Sequence, residues 1–264
     1  MQDAAARARE ALRRHAPQRA DAPLRVLGSG LDHEVLAAGD LVLRTSTGGS
    51  PVREARLLEV VSTRVPLAVP RPLWADDELG VLACTLLPGR SLLGRPAPPG
   101  AGPALGRFLR ALHGTDPAQV RDLVPVDDAP PAEWLADLEG PAELLDVLHR
   151  TVPPPTGVRV LAHADLGAEH LLEQDGALTG VLDWSDAALA DPAVDLARLL
   201  RDLGPSVLRD AVAAYGGPPD VPQWQERTLF YARCAALEDL AFGRRPGRAA
   251  YTAAARRSVA RLFA

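Results

Sequence analysis

Within Leu161–Leu200, LAHADLGAEHLLEQDGALTGVLDWSDAALADPAVDLARLL, four side chains fall in the order that phosphoryl transfer requires: His163, Asp165, His170 and Asp183. A hydroxyl attacking the terminal phosphate of a nucleotide needs one carboxylate to orient it and accept its proton. It needs a second to hold the Mg²⁺ that neutralises charge building on the phosphate oxygens. Asp165 sits in a short loop after the mostly apolar run Val158–Ala162, and Asp183 ends a second such run, Leu178–Leu182. The pattern predicts both carboxylates at the ends of neighbouring β-segments, Asp165 as the base and Asp183 as the Mg²⁺ ligand. His163 is read as structural support, its ring packed beneath the loop and bonded to backbone.

The elements that must position these groups fall into two regions. Residues 3–15 carry an Ala/Arg/Glu helical pattern, and strand-like runs follow at Leu24–Leu27, Glu34–Ala37 and Leu41–Thr45, punctuated by Gly28-Ser29-Gly30 and Gly39-Asp40. A helix is predicted over Pro51–Arg64, with Pro at its start, and a strand over Gly80–Leu87. Beyond Pro88-Gly89 the chain reads as mostly helical, at Ala104–His113, Pro131–Leu138, Pro141–Arg150 and from Pro192 onward. Residues 94–102 and 151–157 are Pro/Gly-rich loops. Asp191-Pro192 has the arrangement of a helix cap followed by Pro at the first helical position.

The 264 residues, 47% apolar and 24% charged, describe a globular chain. No apolar run approaches the roughly 20 residues of a spanning helix, and the first residues lack a signal-peptide core, so the expectation is a cytoplasmic protein with no membrane partner. Cys84 and Cys234 are the only cysteines and form no metal-like pair, which argues against a disulfide framework or a zinc site. All 29 basic residues are Arg, so any cation that touches nucleotide phosphate is an Arg. A net charge of −5 gives no support for nucleic-acid binding and favours a cationic partner.

An H-x-D tripeptide alone is common by chance; the ordered set is not. Asp165, His170 five residues on, Asp183, and Asp191-Pro192-Ala193-Val194-Asp195 at a helix start together resemble the catalytic core of the aminoglycoside phosphotransferase family, antibiotic kinases related in fold to protein kinases. The resemblance implies an α+β, bilobal, protein-kinase-like fold with a small β-rich N-terminal lobe over residues 1–83, a hinge over 84–89 and a larger helical lobe over 90–264. It implies Mg²⁺ and ATP or GTP as phosphoryl donor. On the nucleotide side, Gly28, Ser29 and Gly30 look like a glycine-rich hairpin over the phosphates. Arg44 takes the place of the cation that bridges the phosphates to a helix carboxylate, here Glu54. The base edge would be read by backbone at Thr85 and Leu87. Asp195 matches a buried carboxylate that supports the catalytic loop.

His170 departs from the commoner family pattern, in which Asn supplies the second metal contact. Mg²⁺ prefers oxygen. Either His170 ligates through a ring nitrogen, the reading adopted, or Glu169 takes over, or the second metal is weak or absent. For the acceptor, Glu238 and Asp239 sit within the apolar stripe of Tyr231–Gly243, and Asp186 follows the metal Asp by three residues. Such carboxylates suit the ammonium groups of an aminoglycoside-like antibiotic, while a solvated helix face is the plain alternative. The competing functions are a kinase of a sugar, a choline-like alcohol or homoserine, and an inactive nucleotide-binding regulatory module.

Overall fold

The computed structural model describes residues 3–29, 33–217, 219–245 and 247–264. The chain divides into two compact units, one of residues 1–64 and 68–88, the other of residues 65–67 and 89–264. No described helix is long and apolar enough to cross a membrane.

The first unit is an antiparallel sheet with two helices: α1 (Ala4–His15), β1 (Leu24–Ser29), β2 (His33–Ala38), β3 (Leu41–Ser46), α2 (Pro51–Ser62), β4 (Pro72–Asp76) and β5 (Val81–Thr85), in the sheet order β1-β2-β3-β5-β4. Side chains alternate across a strand, and β3 does so strictly: Leu41, Leu43 and Thr45 are buried while Val42, Arg44 and Ser46 point to the other face. Leu41 and Leu43 join Ala8 and Leu12 of α1 in one core cluster. Arg44 is thereby directed to the opposite face, where α2 supplies its partner. Gly28 and Ser29 are not a free turn: both extend β1, pairing with Val35 and Glu34 past an irregularity between Val26 and Gly28. Gly30 lies outside the described residues.

The second unit contains β6 (Arg90–Ser91), α3 (Ala101–His113), α4 (Ala142–Arg150), β7 (Val160–Ala162), β8 (Leu171–Gln174), β9 (Ala177–Val181), β10 (Ala188–Ala190), α5 (Ala193–Leu203), α6 (Pro205–Tyr215), α7 (Trp224–Phe242) and α8 (Ala249–Leu262). The helix expected over Pro131–Leu138 is a short 3-10 turn, Pro131–Leu135. Close helix packing depends on small residues, and at Gly106 of α3 an added Cβ would run into the Ala211 backbone of α6. The two runs that lead to Asp165 and Asp183 lie in different sheets and do not pair with each other as strands. β7 pairs with β10, and β9 pairs with β8 in the order β6-β8-β9. Three-residue strands such as β10 bury too few alternating positions to register in a sequence pattern.

Candidate active site

The loop 163–170 joins β7 to β8, and a buried carboxylate from α5 holds its first turn. Asp195 Oδ2 accepts the His163 N–H at 3.0 Å and Oδ1 accepts the Ala164 N–H at 2.9 Å, while His113 Nε2 lies 3.0 Å away. Ala164 needs that support because its φ of 65° is left-handed, a conformation that costs a non-glycine residue about 1–2 kcal/mol. Asp195 is fully buried. Burial alone would raise its pKa, but the His113 hydrogen bond and charge and the His163 N–H bring it below the ordinary carboxylate value.

His163 links the two segments that carry Asp165 and Asp183, which the sheets leave unpaired. Its Nε2–H donates to the Leu182 carbonyl at 2.9 Å, leaving Nδ1 to accept the Asp165 N–H at 3.3 Å. Trp184 packs edge-on at 4.8 Å between ring centroids, and burial lowers the His163 pKa, so the ring is neutral. Asp183 follows β9 with a φ of 56°, and its Oδ1 accepts the Ser185 hydroxyl at 2.8 Å.

Asp165 is held from two sides. His170 Nε2 lies 3.1 Å from Oδ2, and Arg198 Nε of α5 lies 3.4 Å from Oδ1. Burial would raise the Asp165 pKa, yet the His170 hydrogen bond and the Arg198 and His170 charges outweigh it and hold the carboxyl well below the usual range. His170 moves the other way: against burial, its bond to Asp165 and the Glu169, Asp165 and Asp183 charges push it up to about 9. At neutral pH, with no metal bound, its ring is an imidazolium that donates to Asp165. The ligand atoms of Asp165, Glu169 and His170 lie within 4.8 Å of one another. Within this cluster a hard dication prefers the carboxylate oxygens of Asp165 and Glu169 to a ring nitrogen.

The carboxylates read as acceptor ligands have separate surroundings. Asp239 Oδ2 lies 3.1 Å from Nη1 of the buried Arg201, which also meets Asp202 at 2.7 Å and Glu169 at 3.5 Å. Burial pushes Asp239 up to about 7 despite Arg201. Glu238 is exposed and lies 3.9 Å from Arg198 Nη1. Asp186 is exposed and, among the described residues, forms no ion pair. Its pKa is raised by desolvation and by the Asp165 and Asp183 charges. Asp191 caps α5 through the Ala193 N–H at 3.0 Å and pairs with the buried Arg227. In the first unit, Arg44 Nη1 lies 2.5 Å from Glu54 Oε2, both side chains largely buried. Ser50 caps α2 by accepting the Arg53 N–H at 3.1 Å, which places Glu54 in the helix's first turn. Thr85 ends β5 with its N–H on the Arg71 carbonyl at 3.0 Å, and Leu87 follows outside regular structure.

Sequence reasoning missed Arg198 and Arg201. A signal was present: Asp195, Arg198 and Asp202 are spaced three and four residues apart and share one face of α5.

The sequence profile of the phosphotransferase enzyme family matches residues 23–229. The chain belongs to this family. As a phosphotransferase family member it is a kinase-type enzyme, and its fold is that of solved family structures. The GDP complex of wild-type aminoglycoside 2'-phosphotransferase-IIIa has a TM-score of 0.79 at 19% identity, covering 98% of this chain and 99% of that one. A macrolide 2'-phosphotransferase from Brachybacterium faecium has a TM-score of 0.69 at 26% identity, covering 95% and 96%. A choline/ethanolamine kinase family protein from Mesorhizobium loti has 0.66 at 22%, covering 99% and 94%. No curated protein sequence matches the chain.

Proposed function

We propose that this phosphotransferase moves the γ-phosphate of ATP or GTP to a hydroxyl of a small antibiotic of the aminoglycoside or macrolide kind. The observation that supports this most is the Asp165 carboxylate, fixed at one oxygen by His170 and at the other by Arg198 on a loop pinned by Asp195. Such a carboxylate stays ionised throughout the neutral range, so it orients the acceptor hydroxyl and takes its proton late, when phosphoryl transfer has made that proton acidic. Its contribution is positioning more than basicity.

Asp183 would hold Mg²⁺, with the second contact from His170 once it gives up its bond to Asp165, or from the Glu169 carboxylate. When bound, the ion supplies charge neutralisation at the phosphate oxygens. Arg44, oriented by Glu54, would contact the α/β-phosphates, and backbone at Gly28, Ser29, Thr85 and Leu87 would meet the nucleotide. Asp186 supports a cationic acceptor, because it alone of the three candidate carboxylates is free of an arginine partner among the described residues. The small-metabolite reading draws its support from the likeness to the choline/ethanolamine kinase family protein.

Nucleotide turnover with Mg²⁺ against a panel of aminoglycosides, macrolides, choline, ethanolamine and sugars tests the proposal. Acceptor-dependent release of ADP or GDP with kcat/KM highest for an antibiotic is expected. A preference for choline or a sugar would replace the antibiotic reading with the metabolite one.

A further inference from the structure

Glu238 has the look of an acceptor ligand, an exposed carboxylate on a helix that also carries apolar residues, but its nearest cation belongs to the protein. One guanidinium spans two carboxylates: Arg198 Nε lies 3.4 Å from Asp165 Oδ1, and Arg198 Nη1 lies 3.9 Å from Glu238 Oε2. The Arg198 side chain is 11% exposed, against 45% for Glu238. Arg198 is thus a nearly buried cation whose planar fork can address two anions in different directions, which a lysine's point charge does not do. The neighbouring Asp239 forms its ion pair with Arg201 at 3.1 Å, and Arg198 acts on it only as a more distant charge. An ion pair as open as Arg198–Glu238 adds little to stability. Its effect is directional, favouring the Arg198 rotamer that presents Nε to Asp165.

We propose that Arg198 and Glu238 are a positioning pair for phosphoryl transfer, with Glu238 acting on Asp165 through Arg198 and not by contact with the acceptor. The inference rests on the reading of Asp165 as the group that addresses the acceptor hydroxyl. Oδ1 of Asp165 is then set from α5 and α7, and Oδ2 from His170 within the loop. A carboxylate with both oxygens anchored keeps one orientation. Misplacement of a reacting group by about 1 Å costs on the order of 10²-fold in rate.

Water as the acceptor separates the two roles of Glu238, since a group that merely binds an antibiotic has no part in nucleotide hydrolysis. Hydrolysis at saturating Mg-ATP is measured for the full chain and for Asp165→Asn, Arg198→Met, Arg198→Lys, Glu238→Gln and the double variant Arg198→Met/Glu238→Gln. Arg198→Met is expected to lower kcat by about 30-fold or more with the nucleotide KM within about twofold, and Arg198→Lys to recover part of the loss. Glu238→Gln is expected to lower kcat by about 5-fold in the wild-type background and to add nothing in Arg198→Met, the non-additivity of residues acting as one unit. A Glu238→Gln rate within about 1.5-fold of wild type, or an equal loss in both backgrounds, overturns the pair. If Asp165→Asn itself hydrolyses at the wild-type rate, the reading of Asp165 fails instead. If Asp165→Asn is inactive while Arg198→Met keeps its rate, the positioning pair alone fails.

Discussion

At the scale of single residues, the proposed mechanism divides the carboxylates between orientation of the acceptor and hold on a metal. Asp165→Asn should reduce kcat by about 10²-fold or more while nucleotide affinity changes little, because the residue addresses the acceptor; Asp183→Asn should damage both. Parallel steady-state rates and Mg-nucleotide titrations check this, and a kcat above about a tenth of wild type in Asp165→Asn would remove its assigned role. His170 offers a sharper contrast, since its ring donates to Asp165 at 3.1 Å. An Asn there is too short to replace the Nε2 bond but presents an oxygen to Mg²⁺, as in the commoner family pattern, so His170→Asn should retain measurable activity and His170→Leu should lose most of it. Equal, mild effects on kcat and on the Mg²⁺ concentration for half-maximal rate would show that neither the bond nor a metal contact matters. The residue types were legible in the sequence because acid/base and metal chemistry admits few side chains. Their partners were not: nothing local announces that Arg198 reaches back to a loop 33 positions earlier.

At the scale of elements, α5 organises the site from behind. Asp195, Arg198, Arg201 and Asp202 emerge from it toward loop atoms of His163, Ala164, Asp165, Ala168 and Glu169. The Asp195 carboxyl has a lower pKa folded than its ordinary value of 3.8. The unfolded chain therefore binds the proton more readily, and the stability Asp195 contributes is complete above about pH 4 and lost as pH falls through its folded value. Urea unfolding across an acidic pH series should show the difference between wild type and Asp195→Asn shrinking as the pH drops below about 4. At neutral pH the substitution should cost about 3 kcal/mol, since an amide cannot accept both loop N–H groups beside His113. A difference that stays constant with pH would mean that folding does not lower the Asp195 pKa, and one that grows as the pH falls would mean that folding raises it. Long helices and four strands of the first sheet were legible, since period and turn residues mark them, whereas β4, which begins on Pro72, was not read as a strand. The strands around the catalytic loop were not, because β6, β7 and β10 are two or three residues long and are held by tertiary contacts.

At the scale of the whole molecule, composition shapes the chemistry of every site at once. The chain contains no lysine, so its 29 basic Lys/Arg side chains are all guanidinium groups. The cation facing Glu54 is thus Arg44, a guanidinium of negligible nucleophilicity. Reagents that label nucleotide sites by acylating or condensing with a lysine amine have no side-chain target here. A nucleotide acyl-phosphate probe should leave the chain without a nucleotide-protected adduct by peptide mass mapping, whereas a dicarbonyl reagent for guanidinium groups should modify Arg44 more slowly when ATP is present. Amine-directed profiling of kinases would pass over this enzyme even while it turns over nucleotide, and silence toward such a probe would say nothing about its activity.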